Sequence, residues 1–148
     1  MPLVLKPASI DVSETLAALH ARSFGAEKWS RAQIEGSLAL PSTEGTVAFL
    51  DEKPAGFLLA QIMDDEAEIL TLCVDPDFRR GGIGATLVRK LTARGGMKRV
   101  FLEVADDNQT AQKLYEKCGF ARQFVRAGYY KRENAAMDAI TYCFSRHL

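Results

Sequence analysis

Between Asp75-Pro76 and an apolar periodic stretch the chain runs Arg79-Arg80-Gly81-Gly82-Ile83-Gly84-Ala85. Glycines allow the backbone to approach an oxyanion closely and to adopt φ > 0. A helix beginning there would aim free N–H groups and its positive dipole end at an anion. The two arginines add charge that cannot titrate away. A phosphate is therefore the natural ligand, and the other phosphate-binding motifs fit poorly. A P-loop requires Gly-Lys-Ser/Thr, whereas this turn continues Gly84-Ala85-Thr86. A dinucleotide fingerprint requires a third glycine where this chain has Leu87. The plainer alternative is a tight turn with surface arginines.

Two further side chains could move protons. Glu103 lies in Val100-Phe101-Leu102-Glu103-Val104, which alternates in strand fashion. A parallel strand is covered on both faces, so a carboxylate there is costly unless it is paired or functional, and burial would raise its pKa into a useful range for a base. The alternative is a frayed strand end where the carboxylate meets solvent or an arginine. Tyr115 falls on the stripe Ala111, Leu114, Tyr115, Cys118, the spacing of a helix face turned to a core. Asn108 is placed to cap that helix. Cys73 and Cys118 occupy apolar positions without a histidine nearby and read as core residues rather than acyl-carrying nucleophiles. With histidines only at 20 and 147 and no Cys-x-x-Cys, no metal site is expected.

The elements that must position these residues follow from periodicity. Helices are expected near 12–24 behind an Asp11 cap, after the capping box Ser30/Gln33, after the glycine turn, and from Gln109 to Cys118. Strands are expected at Thr46–Leu50, Gly56–Met63, Glu66–Val74, Lys98–Val104, Ala121–Arg126 and Ala136–Phe144, the last two joined by a Gly128-Tyr129-Tyr130 loop. The strand–helix–strand unit around the glycine turn should place its two strands parallel. The fold class is mixed α/β (α+β) in one domain spanning 1–148, close to the ~150 residues of a typical domain. Apolar residues make up 47% of the chain, which excludes disorder, and the longest uncharged run, Pro54–Met63, is too short to span a bilayer. Three widely spaced cysteines and no visible secretion signal lead to the expectation of a cytoplasmic protein. Net charge is zero, but six acids without a base fill Asp64–Asp77 and seven bases without an acid fill Arg79–Arg99. Such blocks suggest a local anionic ligand with a cationic one nearby, or solvated faces, rather than nucleic-acid binding. Asp64, Asp65, Glu66 and Glu68, with Asp106 and Asp107, are expected to draw a cationic peptide toward the reacting centre.

Arg-x-x-Gly-x-Gly after a strand ending Val74-Asp75-Pro76 resembles the acetyl-CoA-binding signature of the GCN5-related N-acetyltransferases (GNAT). Trp29-Ser30, Leu102-Glu103-Val104, Asn108 with Ala111, Leu114-Tyr115-Glu116-Lys117-Cys118-Gly119-Phe120, and Tyr129-Tyr130 are similar to the RimI-type N-terminal protein acetyltransferases within it. The resemblance implies a mostly antiparallel sheet of about six to seven strands with a splayed parallel pair and about four helices. It implies acetyl-CoA as co-substrate, its pyrophosphate on the amides of Arg79 to Ala85, its pantetheine arm along Leu72-Cys73-Val74, and Asn108 in contact with it. It implies Glu103 as general base and Tyr115 as general acid in direct attack by an amine, with a backbone N–H near Cys73 or Val74 polarising the carbonyl. Gly82 and Gly84 would then be glycine because an amide lies against a phosphate. The implied acceptor is a protein N-terminus, that of the eighteenth small-subunit ribosomal protein, with no direct contact to nucleic acid or membrane. A lysine, polyamine or drug amine is the alternative acceptor, and an acetyl-CoA-binding regulator without turnover the alternative function. Ala105-Asp106-Asp107 and Lys131 depart from the residues common in the family.

Overall fold

Left-handed backbone at Asp51 (φ 50°) and Glu52 (φ 69°) turns the chain back on itself, and Asp64 (φ 56°) does so again fourteen residues or fewer later. These turns build an antiparallel meander. The computed structural model describes residues 2–25, 28–79, 81–132 and 135–146, with side chains described outside 128–137. Its strands are β1 (Leu3–Pro7), β2 (Thr43–Leu50), β3 (Lys53–Met63), β4 (Glu66–Val74), β5 (Arg99–Ala105), β6 (Ala121–Arg132) and β7 (Ala135–Ser145). Its α-helices are α1 (Ser13–Phe24), α2 (Arg31–Leu38), α3 (Ile83–Thr92) and α4 (Gln109–Lys117). Among the described residues the strands form one seven-stranded sheet in the order β1-β2-β3-β4-β5-β7-β6. Every neighbouring pair is antiparallel except β4 with β5.

The expected mixed fold and the parallel pair are present, with local differences. Tyr129 and Tyr130 belong to β6 rather than to a loop, and β6 with β7 makes a long hairpin. Their side chains, like all of Arg80, lie outside the described residues. Asp11 does not cap α1. It sits in a 3-10 turn (Ile10–Val12), where its carboxylate accepts from Ser9 Oγ at 2.6 Å, and Val12 occupies the cap position. The Ser30/Gln33 capping box is formed in both directions.

Two apolar layers sandwich the sheet. On one face α1 and α2 bury Leu16, Leu19 and Ile34 against Val47, Phe57, Leu59 and Cys73. On the other, α3 and α4 bury Ile83, Leu87, Val88, Leu91 and Tyr115 against Leu58, Val100, Leu102, Ile140 and Tyr142. Two members of each charge block meet at the β4–β5 start: Arg99 pairs with Glu66 at 2.5 Å and Lys98 with Asp65 at 3.4 Å.

His20 joins three elements of the first face. Its ring is 1% exposed and stacks on Phe24 at 4.2 Å. Nδ1 accepts the Trp29 N–H at 3.0 Å, so the proton is on Nε2, which donates to Thr71 Oγ1 at 3.1 Å. Burial pushes the imidazole down to about 4 from the usual 6.5. Between those two values the unfolded chain binds a proton that the folded one refuses, so stability falls as pH drops from 6.5 to 4. The wild type should lose roughly 2–3 kcal/mol across that interval from this group. Thermal unfolding of wild type and His20→Gln from pH 7.5 to 4 checks this: the advantage of the wild type should shrink as the solution is acidified.

Candidate active site

The sheet comes apart where β4 meets β5. The two strands pair only through Glu66↔Arg99, Ala67↔Val100 and Glu68↔Phe101. Just beyond, β4 carries one residue more than β3: Leu59 faces Thr71 and Ala60 faces Ile69, leaving Leu70 as a bulge. A bulge bends its strand and strengthens its twist, which carries the end of β4 away from β5. It also shifts the side-chain alternation, so that Leu72 and Val74 join the α3/α4 layer while Thr71 and Cys73 face α1.

The backbone of this free end has a definite polarity. Asp75 N–H donates to Ala55 O at 2.8 Å, which fixes the antiparallel alternation with β3. Cys73 therefore turns its N–H and C=O to β3, and Leu72 and Val74 turn theirs into the fork. Val74 O is taken by Ser23 Oγ (3.1 Å) and Arg79 Nε (3.4 Å). Of the two amides expected near the reacting carbonyl, only that of Val74 is aimed at the fork.

At the open end of the fork stand two helix N-termini. Gly82 at the start of α3 has φ 78° and no side-chain cap, and an added Cβ would meet nothing within 4 Å. The first amides of α3 are thus available to an anion. Gly84 has a packing reason to be glycine, beside the close approach of a phosphate that the resemblance implies. A Cβ there would lie 3.1 Å from Leu114 Cδ2 and 3.5 Å from Val74 Cγ2, so its absence lets α3 pack against α4 and the end of β4. Asn108 caps α4, its Oδ1 accepting from Ala111 N–H at 3.1 Å. A brace holds the loop before the glycine turn. Arg22 on α1 donates to Asp75 from Nε (2.6 Å) and Nη2 (3.2 Å), and from Nη2 to Asp77 (2.9 Å). The guanidinium keeps the buried Asp75 carboxyl below the usual carboxylate range. Neither Arg22 nor this brace is legible from the sequence, because its partners are more than fifty positions apart.

Glu103 is two residues past the last β4–β5 rung, at the mouth of the fork and on the face shared with α1 and Thr71. Its side chain is 25% exposed. Oε1 accepts from Arg126 Nη1 of β6 at 2.6 Å, the arginine that the plainer sequence reading allowed for. Oε2 is buried with no hydrogen-bond partner. Tyr115, 6% exposed, belongs to the α3/α4 layer with its ring 5.6 Å from that of Phe120. Alternation along β5 puts Glu103 and Tyr115 on opposite faces of the sheet, flanking the fork. Burial pushes the Cys73 thiol up to about 11, and its Sγ is engaged by Leu19 O and Ser23 Oγ, so it is no nucleophile near neutral pH. Asp64, Asp65 and Glu66 lie before or at the start of β4, roughly 26 Å or more from Val74 at the rise of a strand, whereas Glu68 stands at the last rung before the fork, opposite Phe101. Only Asp106 and Asp107 follow β5 at its open end. Among the described residues no group of three or more His, Cys, Asp or Glu could hold a metal, and no helix is long and apolar enough to cross a membrane.

An unpaired strand edge leading to an uncapped helix N-terminus is the site of a protein that takes an extended ligand bearing an anionic group. The chain belongs to the acetyltransferase (GNAT) family, whose model matches residues 13–120. A ribosomal protein bS18-alanine N-acetyltransferase of Salmonella typhimurium is 37% identical over 93 residues, 61% of this chain and 63% of its own; the chain thus spans under two-thirds of that relative. An N-alpha-acetyltransferase RimI of Mycobacterium tuberculosis is 35% identical over 136 residues, 87% of this chain and 84% of its own. The crystal structure of the ribosomal-protein-S18-alanine N-acetyltransferase from Escherichia coli superposes with a TM-score of 0.90 at 25% identity, covering 97% of this chain and 94% of that one.

The two glycines of the turn should respond differently to substitution. Gly84→Val overpacks the α3–α4 contact and should cost about 1–3 kcal/mol of stability. Gly82→Ala meets no neighbour and should cost only about 1 kcal/mol for its left-handed backbone. Urea unfolding of the two variants measures the difference.

Proposed function

We propose that this chain transfers an acetyl group from acetyl-CoA to the α-amine of a protein N-terminus, the N-terminal alanine of ribosomal protein bS18 being the acceptor. The names of the relatives support that acceptor, and the fork supports the co-substrate. The residues present fit acetyl-CoA: the first amides of α3, with Gly81, Gly82, Ile83, Gly84, Ala85 and Arg79 around them, suit its pyrophosphate. The fork-facing edge of Leu72 and Val74 suits its amide-bearing arm as an added strand. Asn108 keeps its cap and would touch the co-substrate beside it. When bound, acetyl-CoA supplies an activated thioester carbonyl.

The chain's own groups then divide the chemistry. A peptide α-amine has a pKa near roughly 7.7–8.0, so most of it arrives protonated at pH 7. Glu103 Oε2 takes one proton from the ammonium, freeing the nitrogen lone pair for attack. The C–N bond forms as the C–S bond breaks, with the Val74 N–H polarising the carbonyl oxygen. Tyr115 gives its phenolic proton to the departing sulfur and is refilled by the proton the nitrogen sheds on becoming an amide. The proton on Glu103 returns to solvent. The observation that carries this reading is the Oε2 of Glu103, buried and unpartnered at the mouth of the fork. Direct attack is favoured over an acyl-cysteine because the Cys73 thiol is held protonated.

Incubation with acetyl-CoA and a panel of N-terminal peptides, free lysine and spermidine, read by mass spectrometry, tests the acceptor. Acetylation confined to the Ala-initiated peptides is expected; a clear preference for spermidine or lysine would overturn the N-terminal reading. Glu103→Gln should lower kcat by roughly 10²–10⁴ with acetyl-CoA affinity nearly intact. Tyr115→Phe should lower it too while preserving packing. Steady-state kinetics with calorimetric binding separates these effects, and near-normal turnover in both variants would place the chemistry elsewhere.

A further inference from the structure

Among the described residues, Thr141 on β7 presents a second buried oxygen without a partner, and it stands directly opposite Glu103 in the β5–β7 register. Thr141 as a whole is only 7% exposed. Directly opposed residues raise their side chains from the same face with Cβ atoms about 4.5–5.5 Å apart. Two hydrogen-bonding oxygens, Glu103 Oε2 and Thr141 Oγ1, are therefore held side by side, out of water and unsatisfied. A buried polar atom left without a partner is costly, and native proteins satisfy nearly all of them. The other unpartnered oxygens of this kind, Ser13 Oγ and Thr43 Oγ1, sit on α1 and β2, and Thr43 stands opposite Gln61 in the ladder. Arg126 fixes the other carboxylate oxygen at 2.6 Å, so Oε2 is the one left over.

We propose that Thr141 is an amine-positioning residue, its hydroxyl and Glu103 Oε2 forming a paired acceptor site for the primary ammonium of the acetyl acceptor. This rests on the acetyl-transfer reading above. An ammonium brings three donors. One N–H goes to Oε2, one to Thr141 Oγ1, and the third lies outside the pair. When the proton on the first bond passes to Oε2, the lone pair faces Oε2 while Oγ1 still accepts from the neutral amine, so the nitrogen turns about that remaining hydrogen bond to bring the pair to the carbonyl carbon. Glu103 alone would hold the ammonium but would give the neutral amine's N–H no acceptor to turn about. A secondary ammonium, such as an N-terminal proline, still brings two donors but places a carbon where the third hydrogen would be, so the pair favours a primary amine by shape rather than by donor count.

The test compares wild type, Thr141→Val and Thr141→Ser. Valine keeps the shape and removes the unsatisfied hydroxyl, so the free variant should be as stable as wild type or more so in thermal unfolding. Its kcat/KM for an Ala-initiated peptide should nevertheless fall roughly ten- to a hundredfold, the worth of a hydrogen bond to a charged group. Affinity for acetyl-CoA should not change, and Thr141→Ser should recover activity to within about threefold of wild type. A residue that only packs would show the reverse, with stability lost and kcat/KM kept. Wild-type transfer with kcat/KM of Thr141→Val within twofold of it would overturn the proposal alone. Equal losses in the serine variant would do the same. Wild type that acetylates no amine at all would overturn the functional reading and this proposal with it.

Discussion

Everything at this site depends on one extra residue in β4. Had Leu70 not been bulged, the parallel ladder begun at Glu66↔Arg99 would have continued, pairing Leu70 with Glu103 and closing the sheet. The bulge ends the ladder after three rungs. It leaves the backbone of Leu72 and Val74 facing outward and gives the β4 end a place in the α3/α4 layer from which the glycine turn can begin. Gly84 then permits α3 to settle against Leu114 and Val74, and the Arg22–Asp75–Asp77 brace holds the intervening loop from the opposite face. The position of the glycine turn is thus the result of packing on one face and ion pairing on the other.

Against that well-satisfied framework the site differs in how its polar groups are treated. α2 is closed by a reciprocal capping box and α4 by Asn108, while α3 carries no cap. Asp75, His20 and Gln112 are buried with their hydrogen bonds made, whereas Glu103 and Thr141 each keep one oxygen unmatched. Of the four buried oxygens left without a partner among the described residues, two thus face each other across one ladder, and adjacent unmet hydrogen-bonding capacity is stability forgone at that place.

The sequence made the parts of this arrangement legible to the extent that they are local. The capping box, the Glu66–Val74 strand, the α3 stripe and the Asn108 cap each depend on residues within a few positions, and the structure has them. Glu103 was found because a carboxylate in an apolar alternation is conspicuous. Asp11 is a local exception: its position reads as a cap, but Ser9, two residues away, engages its carboxylate in a 3-10 turn. The other failures are non-local. Tyr129-Tyr130 reads as a loop from its glycine and extends instead into a hairpin stabilised by β7. The acidic block reads as near the reacting centre because its strand leads there, but Asp64, Asp65 and Glu66 lie at the far end of that nine-residue strand, where Lys98 and Arg99 pair with Asp65 and Glu66, and only Glu68 reaches the last rung before the fork. Thr141 gave no signal, since a threonine in a strand is ordinary until its neighbour across the ladder is known.

The fork is also a mechanical seam. On one side of it β1 to β4 form a meander in which each strand pairs with its sequence neighbour; on the other, β7 is inserted between β5 and β6. Within the sheet, three rungs of parallel pairing are all that bind these halves. Local meanders close early in folding and non-local insertions close late, so the two halves should form at different times and meet last at the seam. A ligand lying along the fork bridges both halves and is absent from the unfolded chain, so by mass action it fastens the sheet at its weakest line. Amide hydrogen exchange along β4 and β5 would then report occupancy of the fork as a slowing of sub-global opening, even where no side chain has moved.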